Sequence, residues 1–358
     1  MKAAIFVGPE QPLAIEDVTP NPPGPRDVVV RVAASGVCHS DLSIVHGYVP
    51  LPPPCVLGHE GAGTVESVGA DVRKVQPGDR VIASFVPACG QCWYCMHEKT
   101  NLCENMFAAS MTPRVTLADG RIASCMTGLG TFAEAMTIDE TSVVKVDTDL
   151  PDEQLALIGC GVTTGVGAAL NTARVEPGSS VAVIGCGGVG NAVIQGARIA
   201  GAARIFAVDP VEMKRKTAEQ LGATDLVDPA DGDPIAQVQA LTGGRGTDYA
   251  FEVIGLPETI IQAYNTARRG GTVVVVGMPR MDAQVTLPGW QLFSDEKRLL
   301  GCVYGSAQVQ RDFPRFIGLV ETGRLDLGTM VSRRIALDEV NDAFRAMEAG
   351  EVIRSVIV

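Results

Sequence analysis

A glycine-rich turn between a strand and a helix constrains the fold of this chain more than any other stretch. The apolar strand Ser180–Ile184 leads into Gly-Cys-Gly-Gly-Val-Gly at 185–190, and a helix of small residues is predicted at 191–200. A second apolar strand, 203–208, ends at Asp209, nineteen residues after the last glycine of the turn. This succession of strand, turn, helix, strand and acid is what a dinucleotide-binding unit requires.

The three glycines of this motif have different tasks. Gly185 makes the tight turn, Gly187 lets the backbone approach a pyrophosphate, and Gly190 lets the helix pack closely on the strand. The helix N-terminus offers N–H groups and a positive dipole to the phosphates. Asp209 would accept hydrogen bonds from both ribose hydroxyls and repel a 2′-phosphate, which favours NAD over NADP. A glycine-rich turn in some other α/β protein is the alternative.

Alternation of helices and strands continues toward the C-terminus. Helices are predicted at 211–221, 234–241 and 258–267, and strands at 225–227, 247–253, 272–276 and 298–304. With the two strands of the first unit these make six, so the sequence predicts a complete doubly wound α/β sheet. Two more helices follow, one ending near Gly323 and one at 338–350, and a last strand contains Arg354.

The N-terminal part has another pattern, in which strands are separated by long loops. Strands at 27–32, 61–68 and 78–83, and more within 130–146, are typical of an all-β, barrel-like unit. Residues 104–128 are predicted to form a long loop with a turn at 118–120. The apolar side chains of that loop, Phe107 among them, either line a pocket or serve packing. Because the chain has 358 residues, two domains are expected.

Four cysteines in a short segment predict a structural metal site. Cys89, Cys92 and Cys95 are spaced three residues apart, and Cys103 follows in the same segment. Four thiolates complete the shell of one tetrahedral zinc and leave no position for a substrate. The alternative, a redox pair of the Cys-x-x-Cys type, does not need four cysteines. His97 lies inside the segment and is interpreted as a surface histidine.

A second candidate metal site lies within 36–60. It contains Cys38 and His59, and Ser40 is close enough to Cys38 in the sequence to handle a proton. A thiolate and an imidazole are two of the three protein ligands of a catalytic zinc, which keeps one position open. Cys160 falls at the junction of the two expected domains, where sites often lie. A buried free cysteine is the alternative interpretation of Cys38.

Composition narrows the classes of function and the location. The net charge of −12 argues against a nucleic acid or an anionic membrane as the main partner. No run of about 18 apolar residues indicates a membrane span, and the N-terminal apolar run is too short for a signal peptide. A cytoplasmic location is therefore predicted, and the ten cysteines are expected to stay thiols or bind metal.

These motifs together resemble the zinc-dependent medium-chain alcohol dehydrogenases over the full length of the chain. The resemblance is carried by Gly-His-Glu-Gly-Ala-Gly-Thr-Val at 58–65, the four cysteines, Gly-Cys-Gly-Val-Thr-Thr-Gly at 159–165, the turn at 185–190 and the tail around Arg354. The long loop after the fourth cysteine is similar to that of the class I and class III branch.

The resemblance implies a fold and an activity. A GroES-like β-barrel catalytic domain, 1–161 and 304–358, would be interrupted by a Rossmann NAD-binding domain, 162–303. The implied reaction interconverts a primary or secondary alcohol and its aldehyde or ketone, with NAD and two zinc ions per chain. The hydroxyl proton would leave through Ser40 and the hydride would pass to the nicotinamide.

The resemblance also implies roles for single residues. The catalytic zinc ligands would be Cys38, His59 and Cys160, and the structural ones Cys89, Cys92, Cys95 and Cys103. Glu60 would lie behind the catalytic metal, and Asp41 would orient His59. The cofactor would be contacted by His39, Thr164, Gly185, Gly187, Gly188, Val189, Gly190, Asp209, Lys214, Val276, Met278 and Arg354. Of these, His39 and Arg354 would touch the pyrophosphate and Lys214 the adenosine ribose, while Phe85 and Met278 would form pocket walls.

Two departures from the family pattern leave alternatives open. Ser43 stands where class I members often have the last histidine of the proton relay, so the final base is left open between water and His46. The favoured interpretation of His46 is a surface or packing residue. The glutathione-linked formaldehyde branch uses acids in the loop before 58 and an arginine soon after the fourth cysteine. Here 44–57 contains no acid and Phe107 takes the arginine-like place, so the sequence predicts an apolar alcohol.

Further hypotheses concern activity and assembly. S-(hydroxymethyl)glutathione dehydrogenase and a catalytically idle NAD(H)-binding relative remain the alternative functions. The strand at 272–276 and the segment 284–287 match the family's dimer-forming edge. A homodimer is predicted, with a tetramer as the alternative.

Overall fold

The computed structural model describes the backbone of residues 1–358 and every side chain except those of residues 109 and 110. The chain forms two compact units. The first comprises Met1–Gly161, Gln308–Thr322 and Val331–Val358, and the second comprises Val162–Ala307 and Gly323–Met330. The first boundary follows residue 161, as in the sequence analysis, whereas 304–307 and 323–330 belong to the second unit rather than the first.

Strands often follow one another directly in the N-terminal part of the chain, whereas strands and helices alternate from residue 180 to residue 301. The strands are β1 (Lys2–Phe6), β2 (Ala14–Pro20), β3 (Asp27–Gly36), β4 (Cys55–Val56), β5 (Glu60–Val68), β6 (Arg80–Ala83), β7 (Val115–Leu117), β8 (Ile122–Cys125), β9 (Ala135–Asp139), β10 (Val143–Lys145), β11 (Ser180–Ile184), β12 (Arg204–Val208), β13 (Asp225–Val227), β14 (Thr247–Glu252), β15 (Ala267–Val275), β16 (Arg298–Gly301), β17 (Val331–Ile335) and β18 (Arg354–Ile357). The α-helices are α1 (His39–Val45), α2 (Trp93–Met96), α3 (Met106–Ser110), α4 (Asp152–Leu157), α5 (Thr163–Gly167), α6 (Gly188–Ala200), α7 (Glu212–Leu221), α8 (Pro234–Leu241), α9 (Pro257–Thr266), α10 (Gly289–Ser294), α11 (Val309–Glu321) and α12 (Val340–Glu348). Two π-helical turns, Ile158–Val162 and Ala168–Ala173, follow α4 and α5.

The first unit contains a small closed barrel in the order β1-β2-β7-β8-β4. The prediction of a long loop at 104–128 was wrong, because β7 and β8 form a hairpin within it and pair with β2 and β4. The alternating burial of Val115, Leu117, Ala123 and Cys125 places one face of the hairpin in an apolar core. The signal was in the sequence, since the predicted turn at 118–120 separates two short alternating runs.

The apolar side chains of 104–128 differ in burial, so neither a pocket lining nor packing accounts for all of them. Met126 is buried in the core of the first unit, whereas Phe107 and Met111 are exposed. Packing therefore accounts for Met126 but not for Phe107 or Met111.

A seven-stranded sheet forms the rest of the first unit's β-structure. Its order is β10-β6-β5-β3-β18-β17, with β9 paired to the other part of β3. Gly36 at the end of β3 is directly opposite Glu60 at the start of β5. This register brings together the chain segments that follow β3 and precede β5. The sequence analysis missed β17, a short strand that lies parallel to β18.

The second unit is a parallel sheet in the order β13-β12-β11-β14-β15-β16. This is the doubly wound Rossmann order, so the predicted fold class is confirmed. Helix α6 begins at Gly188, three residues before the predicted start. Strand β16 ends at Gly301 rather than at 304, because Tyr304 and Gly305 adopt left-handed backbone angles that end an extended run.

The segment 323–330 joins the second unit through a buried amide. Gln195 on α6 donates to the carbonyl of Asp326 at 3.0 Å and accepts from its N–H at 2.7 Å. Leu325, Leu327 and Met330 of the segment are buried. A sequence pattern cannot reveal that 323–330 belongs to the second unit, because this depends on a contact between two residues that are 131 positions apart in the sequence.

One helical run, Asp152–Ala173, has the length and composition of a membrane span. Most of it is enclosed by protein, since 78% of its most apolar window is buried. A core helix has the same apolar composition as a span when protein surrounds it on all sides.

Candidate active site

Asp41 connects the two segments that carry the candidate zinc ligands Cys38 and His59. Cys38 is the N-cap of α1, and its N–H donates to the Asp41 carboxylate at 3.0 Å, as in a capping box. From the other segment, the N–H of Gly58 donates to the same carboxylate at 3.2 Å. The register of β3 and β5 brings the segments together, and Asp41 fixes their separation.

Asp41 also orients the imidazole of His59. The ring Nδ1 lies 3.0 Å from Asp41 Oδ1, and both side chains are buried. Because the carboxylate accepts the proton of Nδ1, Nε2 keeps its lone pair and can bind a metal. Burial opposes charging of the ring, but the Asp41 carboxylate outweighs it and raises the pKa of His59. The contact that the resemblance implied between these two residues is present.

Four donor residues, the ligand cluster, come together at this point. Cys38, His59, Glu60 and Cys160 each offer one atom, and these atoms lie within 4.8 Å of one another. Tetrahedral zinc with bonds of about 2.0–2.3 Å requires donors roughly 3.3–3.8 Å apart, which this spread accommodates. The donor set of thiolates and imidazole suits zinc rather than calcium or magnesium.

Cys160 reaches the cluster from a π-helical turn at the end of α4. A wider turn of this kind is often found at functional positions. A Cβ atom on the preceding Gly159 would lie 3.1 Å from the carbonyl oxygen of Ala83 and 3.6 Å from Glu60 Cα. The helix therefore approaches the sheet closely at this point because residue 159 has no side chain. The sequence motif indicated the glycine, but not the π-helical turn.

A hydrogen bond joins the two thiols of the cluster. A hydrogen bond from Cys160 lowers the pKa of Cys38 against the effect of burial, and His59 adds to the lowering. The same hydrogen bond raises the pKa of Cys160. A divalent cation that replaces the protons of both thiols would hold both as thiolates.

Glu60 and Arg354 form a buried ion pair beside the cluster. The Arg354 guanidinium donates to Glu60 Oε2, and both side chains are almost fully enclosed. Burial raises the pKa of Glu60 to about 7, and the guanidinium opposes this. Glycines make room for the pair, because a Cβ atom on Gly36 would overlap the Glu60 carboxylate and one on Gly161 would lie 3.0 Å from Arg354.

The second oxygen of Glu60 supports a cation at this place. Oε1 is buried and has no hydrogen-bond partner among the described residues, yet it belongs to the ligand cluster. An unpaired buried carboxylate oxygen is costly unless a positive charge is near. The placement of Glu60 behind the metal fits this geometry. The contact of Arg354 with a pyrophosphate stays a prediction, since its guanidinium lies against Glu60.

Ser40 lies beside the cluster, whereas His46 does not take part in it. The Ser40 hydroxyl is 3.8 Å from the sulfur of Cys38 and is half-buried. Both ring nitrogens of His46 meet carboxylates instead, at 3.3 Å from Glu10 and 2.9 Å from Glu348. His46 is therefore a surface ion-pairing residue, as its more favoured interpretation held.

Phe85 and His39 occupy different surroundings near the cluster. The ring of Phe85 packs edge-on against His59, with centroids 5.8 Å apart, which agrees with a pocket wall. His39, the first residue of α1, is exposed. Its contact with the cofactor stays a prediction.

The four-cysteine lobe (Cys89, Cys92, Cys95 and Cys103) forms the second group of donor atoms. The four sulfurs lie within 4.8 Å of one another, and all ten cysteines of the chain are free of disulfides. Backbone N–H groups point at the sulfurs, from Cys92 to Cys89 at 3.4 Å and from Cys95 to Cys92 at 3.5 Å. Such bonds favour thiolates, and those from the backbone of Glu104 and Cys95 lower the pKa of Cys92 to about 6. The lobe fits a structural zinc.

His97 is outside the sulfur group of the lobe. Its ring stacks on Trp93 with centroids 4.1 Å apart, and its Nδ1 lies 2.7 Å from the Trp93 carbonyl oxygen. The side chain is exposed, so the interpretation of a surface histidine is confirmed.

The second unit contains the candidate cofactor turn, residues 185–190. Gly185 has a φ of 94°, and a Cβ atom on Gly190 would overlap the Gly185 carbonyl oxygen. A Cβ atom on Gly187 would meet nothing within 4 Å, which leaves room for a ligand. The turn therefore has the tight bend, the close helix approach and the open space that its three glycines predicted.

Asp209 at the end of β12 is buried and holds this turn. Its Oδ2 accepts the N–H of Cys186 at 2.8 Å, and Oδ1 accepts the N–H of Val211 at 2.8 Å. The sequence analysis assigned Asp209 to the ribose and missed these two structural bonds. Each carboxylate oxygen can accept more than one hydrogen bond, so both tasks are compatible.

The other predicted cofactor residues of the second unit follow its strands or begin its helices. Lys214 lies on α7, Thr164 on α5 and Val276 directly after β15, all partly exposed, and Met278 is 48% exposed. Val276 and Met278 thus lie at the carboxyl ends of parallel strands, where open α/β sheets bind ligands. No contact in the structure tests the role of these four residues.

Two family models match the chain. The alcohol dehydrogenase GroES-like domain matches residues 24–148, and the zinc-binding dehydrogenase model matches residues 188–322. A curated relative, the NDMA-dependent alcohol dehydrogenase of Amycolatopsis methanolica, is 39% identical over 368 residues, which cover 100% of this chain and 98% of the relative.

Solved structures with the same fold also cover almost the whole chain. An alcohol dehydrogenase zinc-binding domain protein from Burkholderia ambifaria has a TM-score of 0.94 and 33% identity, covering 99% of this chain and 98% of that one. A benzyl alcohol dehydrogenase from Acinetobacter calcoaceticus has a TM-score of 0.93 and 31% identity, with the same coverage. These likenesses include both the barrel-containing unit and the Rossmann unit.

We expect Asp41→Asn to weaken zinc binding at the ligand cluster. The amide keeps the size of the carboxylate but loses the charge that fixes the His59 proton on Nδ1, so zinc affinity should fall roughly 10–100-fold. Chelator competition that follows release of the two metal ions would measure this fall.

Asp312→Asn is the matched control for this change. Asp312 is equally buried in the first unit, and it accepts the N–H of Gln308 at 2.9 Å away from the cluster. It should change thermal stability and leave zinc affinity unchanged. An equal loss of zinc in both variants would mean that Asp41 acts only through the stability of the unit.

Proposed function

This chain belongs to the zinc-dependent medium-chain alcohol dehydrogenase family, and we propose that it oxidises an apolar primary or secondary alcohol with NAD. As a family member it is an oxidoreductase that acts on CH–OH groups. The observation that carries the proposal is the buried ligand cluster, in which Asp41 holds His59 with Nε2 available for a metal. Each chain would hold one catalytic zinc there and one structural zinc in the four-cysteine lobe.

The chain's own side chains would divide the work of the reaction. A zinc ion bound at the ligand cluster would act as a Lewis acid and lower the pKa of an alcohol hydroxyl. Cys38, His59 and Cys160 hold the ion. Ser40, 3.8 Å from the sulfur of Cys38, takes the proton that the substrate loses. His46 does not carry that proton further, because Glu10 and Glu348 occupy both of its ring nitrogens.

Charge balance allows the ligand cluster to stay buried, and burial keeps the reaction away from bulk water. The two thiolates would offset the charge of a divalent zinc, and Arg354 already offsets Glu60. A site without net charge can stay buried without the large cost of an isolated ion. The same burial strengthens the action of the metal on the substrate hydroxyl.

An apolar substrate is supported by the residues close to the cluster. Phe85 packs against His59, and the loop 44–57 contains no acidic residue. A charged glutathione conjugate would need basic and acidic partners for its own groups. Phe107, which stands in the place of an arginine in the glutathione-linked branch, offers none.

A second candidate concerns the electron acceptor. The Amycolatopsis relative is an NDMA-dependent enzyme by name and is similar over the whole chain. Oxidation of alcohols with NDMA in place of free NAD is therefore the alternative activity. The carboxylate of Asp209, at the end of β12, favours NAD among nicotinamide cofactors because it disfavours a 2′-phosphate.

Turnover of an alcohol panel tests the function directly. Short, long, branched and aromatic alcohols, and S-(hydroxymethyl)glutathione, are each supplied with NAD, NADP or NDMA as the acceptor. We expect the highest kcat/KM with an apolar alcohol and NAD, and two zinc ions per chain. Better turnover of the glutathione conjugate would overturn the substrate class. Activity with NDMA alone would establish the alternative, and no turnover with one zinc would support an idle relative.

Asp209→Asn should raise the KM for NAD and reduce the preference of the enzyme for NAD over NADP. A charge-assisted hydrogen bond to the ribose contributes about 1.5–3 kcal/mol, which corresponds to roughly 10–100-fold in affinity. NADP should gain relative to NAD because the repulsion of its 2′-phosphate is removed. If both cofactors weaken equally, Asp209 only holds the turn. Asp233→Asn, which alters another helix-capping acid of the second unit, is the control.

A homodimer, or a tetramer built from it, is part of the proposal. The predicted edge at 272–276 was wrong, because β15, which contains these residues, is paired with β14 on one side and β16 on the other. Strand β16 is instead the last strand of this sheet in the described residues. Exposed apolar side chains lie near it, with Trp290 and Phe293 each 75% exposed and Leu299 on β16 itself 42% exposed. A second copy that continues the sheet would pair the edge and cover this apolar surface.

Phe293→Asp should therefore reduce the oligomer to monomers. A charge placed in the proposed apolar contact has no partner, and burying it costs more than a small interface gains. Light scattering after gel filtration measures the mass of the particle. Phe107→Asp, at an equally exposed aromatic residue of the first unit, should leave the mass unchanged. A wild-type monomer would end this part of the proposal.

A cytoplasmic location is consistent with the proposed metal sites. The six cysteines assigned to zinc must stay reduced to bind the ion, and a reducing compartment keeps thiols available.

A further inference from the structure

Asn191 is the first residue after the glycine-rich turn, and its side chain is completely buried. Its amide Nδ2 donates to the carbonyl oxygen of Cys186 at 2.7 Å and to that of Gly187 at 3.1 Å. Its backbone N–H also donates to the Gly187 carbonyl, at 2.9 Å. Two consecutive peptide groups of the turn are thus held by one side chain.

These two hydrogen bonds determine where the next N–H groups point. In a trans peptide, the C=O and the following N–H point in opposite directions within one plane. Because Asn191 draws the Cys186 and Gly187 carbonyls inward, the N–H groups of Gly187 and Gly188 are directed outward. Neither group has an acceptor among the described residues. Both lie at the start of α6, where free N–H groups attract anions.

The space in front of these N–H groups is open. A Cβ atom built on Gly187 meets nothing within 4 Å, whereas one on Gly190 would overlap the Gly185 carbonyl. The turn is therefore tight on its inner side and accessible on its outer side. Asp209 fixes the preceding N–H, that of Cys186, at 2.8 Å, whereas the two later groups remain for a ligand.

The other end of the Asn191 amide shows why an amide is needed at this position. Its Oδ1 is buried and has no hydrogen-bond partner among the described residues. A buried acceptor without a partner destabilises a fold, and a leucine of similar volume would avoid that cost. The benefit of the amide must lie in its two donors, and both are directed at the turn.

We propose that Asn191 is a positioning residue for the cofactor, which holds the N–H groups of Gly187 and Gly188 in the direction of the pyrophosphate. The inference rests on the proposed use of NAD and names a residue that the dinucleotide motif does not include. Asn191 touches no part of the cofactor itself. It acts through the orientation of two peptide groups.

Four variants of the full-length, zinc-loaded protein separate the donors from packing. Asn191→Leu keeps the volume and removes the donors, and Asn191→Asp keeps the shape but places a charge against two carbonyls. Asn191→Ser retains one donor, since a helical serine can bond the carbonyl four residues earlier, here that of Gly187. Gln195→Leu is the control, because Gln195 is an equally buried amide on α6 that bonds Asp326 instead.

The readout is direct binding of NADH, by its fluorescence, and of adenosine, which has no pyrophosphate, by calorimetry. Loss of two neutral hydrogen bonds should weaken NADH binding by Asn191→Leu roughly tenfold or more, with Asn191→Ser between it and the wild type. Adenosine affinity, zinc content and thermal midpoint should not fall in Asn191→Leu. Gln195→Leu should lose stability but keep its NADH affinity.

Each other outcome overturns the inference. Equal NADH affinity in the wild type and Asn191→Leu would show that the donors do not position the turn. Equal losses for adenosine and NADH, or a loss that follows the thermal midpoint, would assign Asn191 to packing. Wild-type protein that binds no NADH would end the proposed NAD function as well, whereas wild-type binding with unchanged variants would end this inference alone.

Discussion

The Asp41 carboxylate accepts hydrogen bonds from both segments that bring zinc ligands to the first unit. One segment follows β3 and carries Cys38, and the other precedes β5 and carries His59. The strand register places them at the same end of the sheet, but it does not fix the ligand atoms to the accuracy that a metal needs. Asp41 supplies that accuracy, because it holds two backbone N–H groups and the His59 ring at once. Its own burial is tolerated because several donors surround it.

Charge balance is the second condition that the ligand cluster has to meet. Without a cation, the opposite shifts in the pKa values of Cys38 and Cys160 and the raised pKa of Glu60 reflect the cost of several acids in one buried place. Arg354 offsets one of them, and a divalent metal would offset two thiolates. The cluster is thus arranged to bind a cation, and the glycines at 36 and 161 give the Glu60–Arg354 pair its room.

In the glycine-rich turn of the second unit, buried polar side chains also position the groups that would bind a ligand, and these groups belong to the backbone. Asp209 holds one N–H of the turn inward, and Asn191 draws two carbonyls inward. The remaining N–H groups are left to face an anion without the need for a positively charged side chain. In both units a buried polar side chain positions the groups that contact the ligand.

Local sequence patterns were enough to predict the fold class and most candidate ligands. Spacing of cysteines, the order of strand, glycine turn and helix, and the acid after β12 are short-range signals that survive without coordinates. The tertiary structure decided what depends on distant contacts. It turned the expected loop at 104–128 into a barrel hairpin, moved 323–330 to the second unit through Gln195, and paired Arg354 with Glu60. It also gave Asp41 a partner in the Gly58 N–H, since this contact depends on the register of neighbouring strands, which no local pattern encodes.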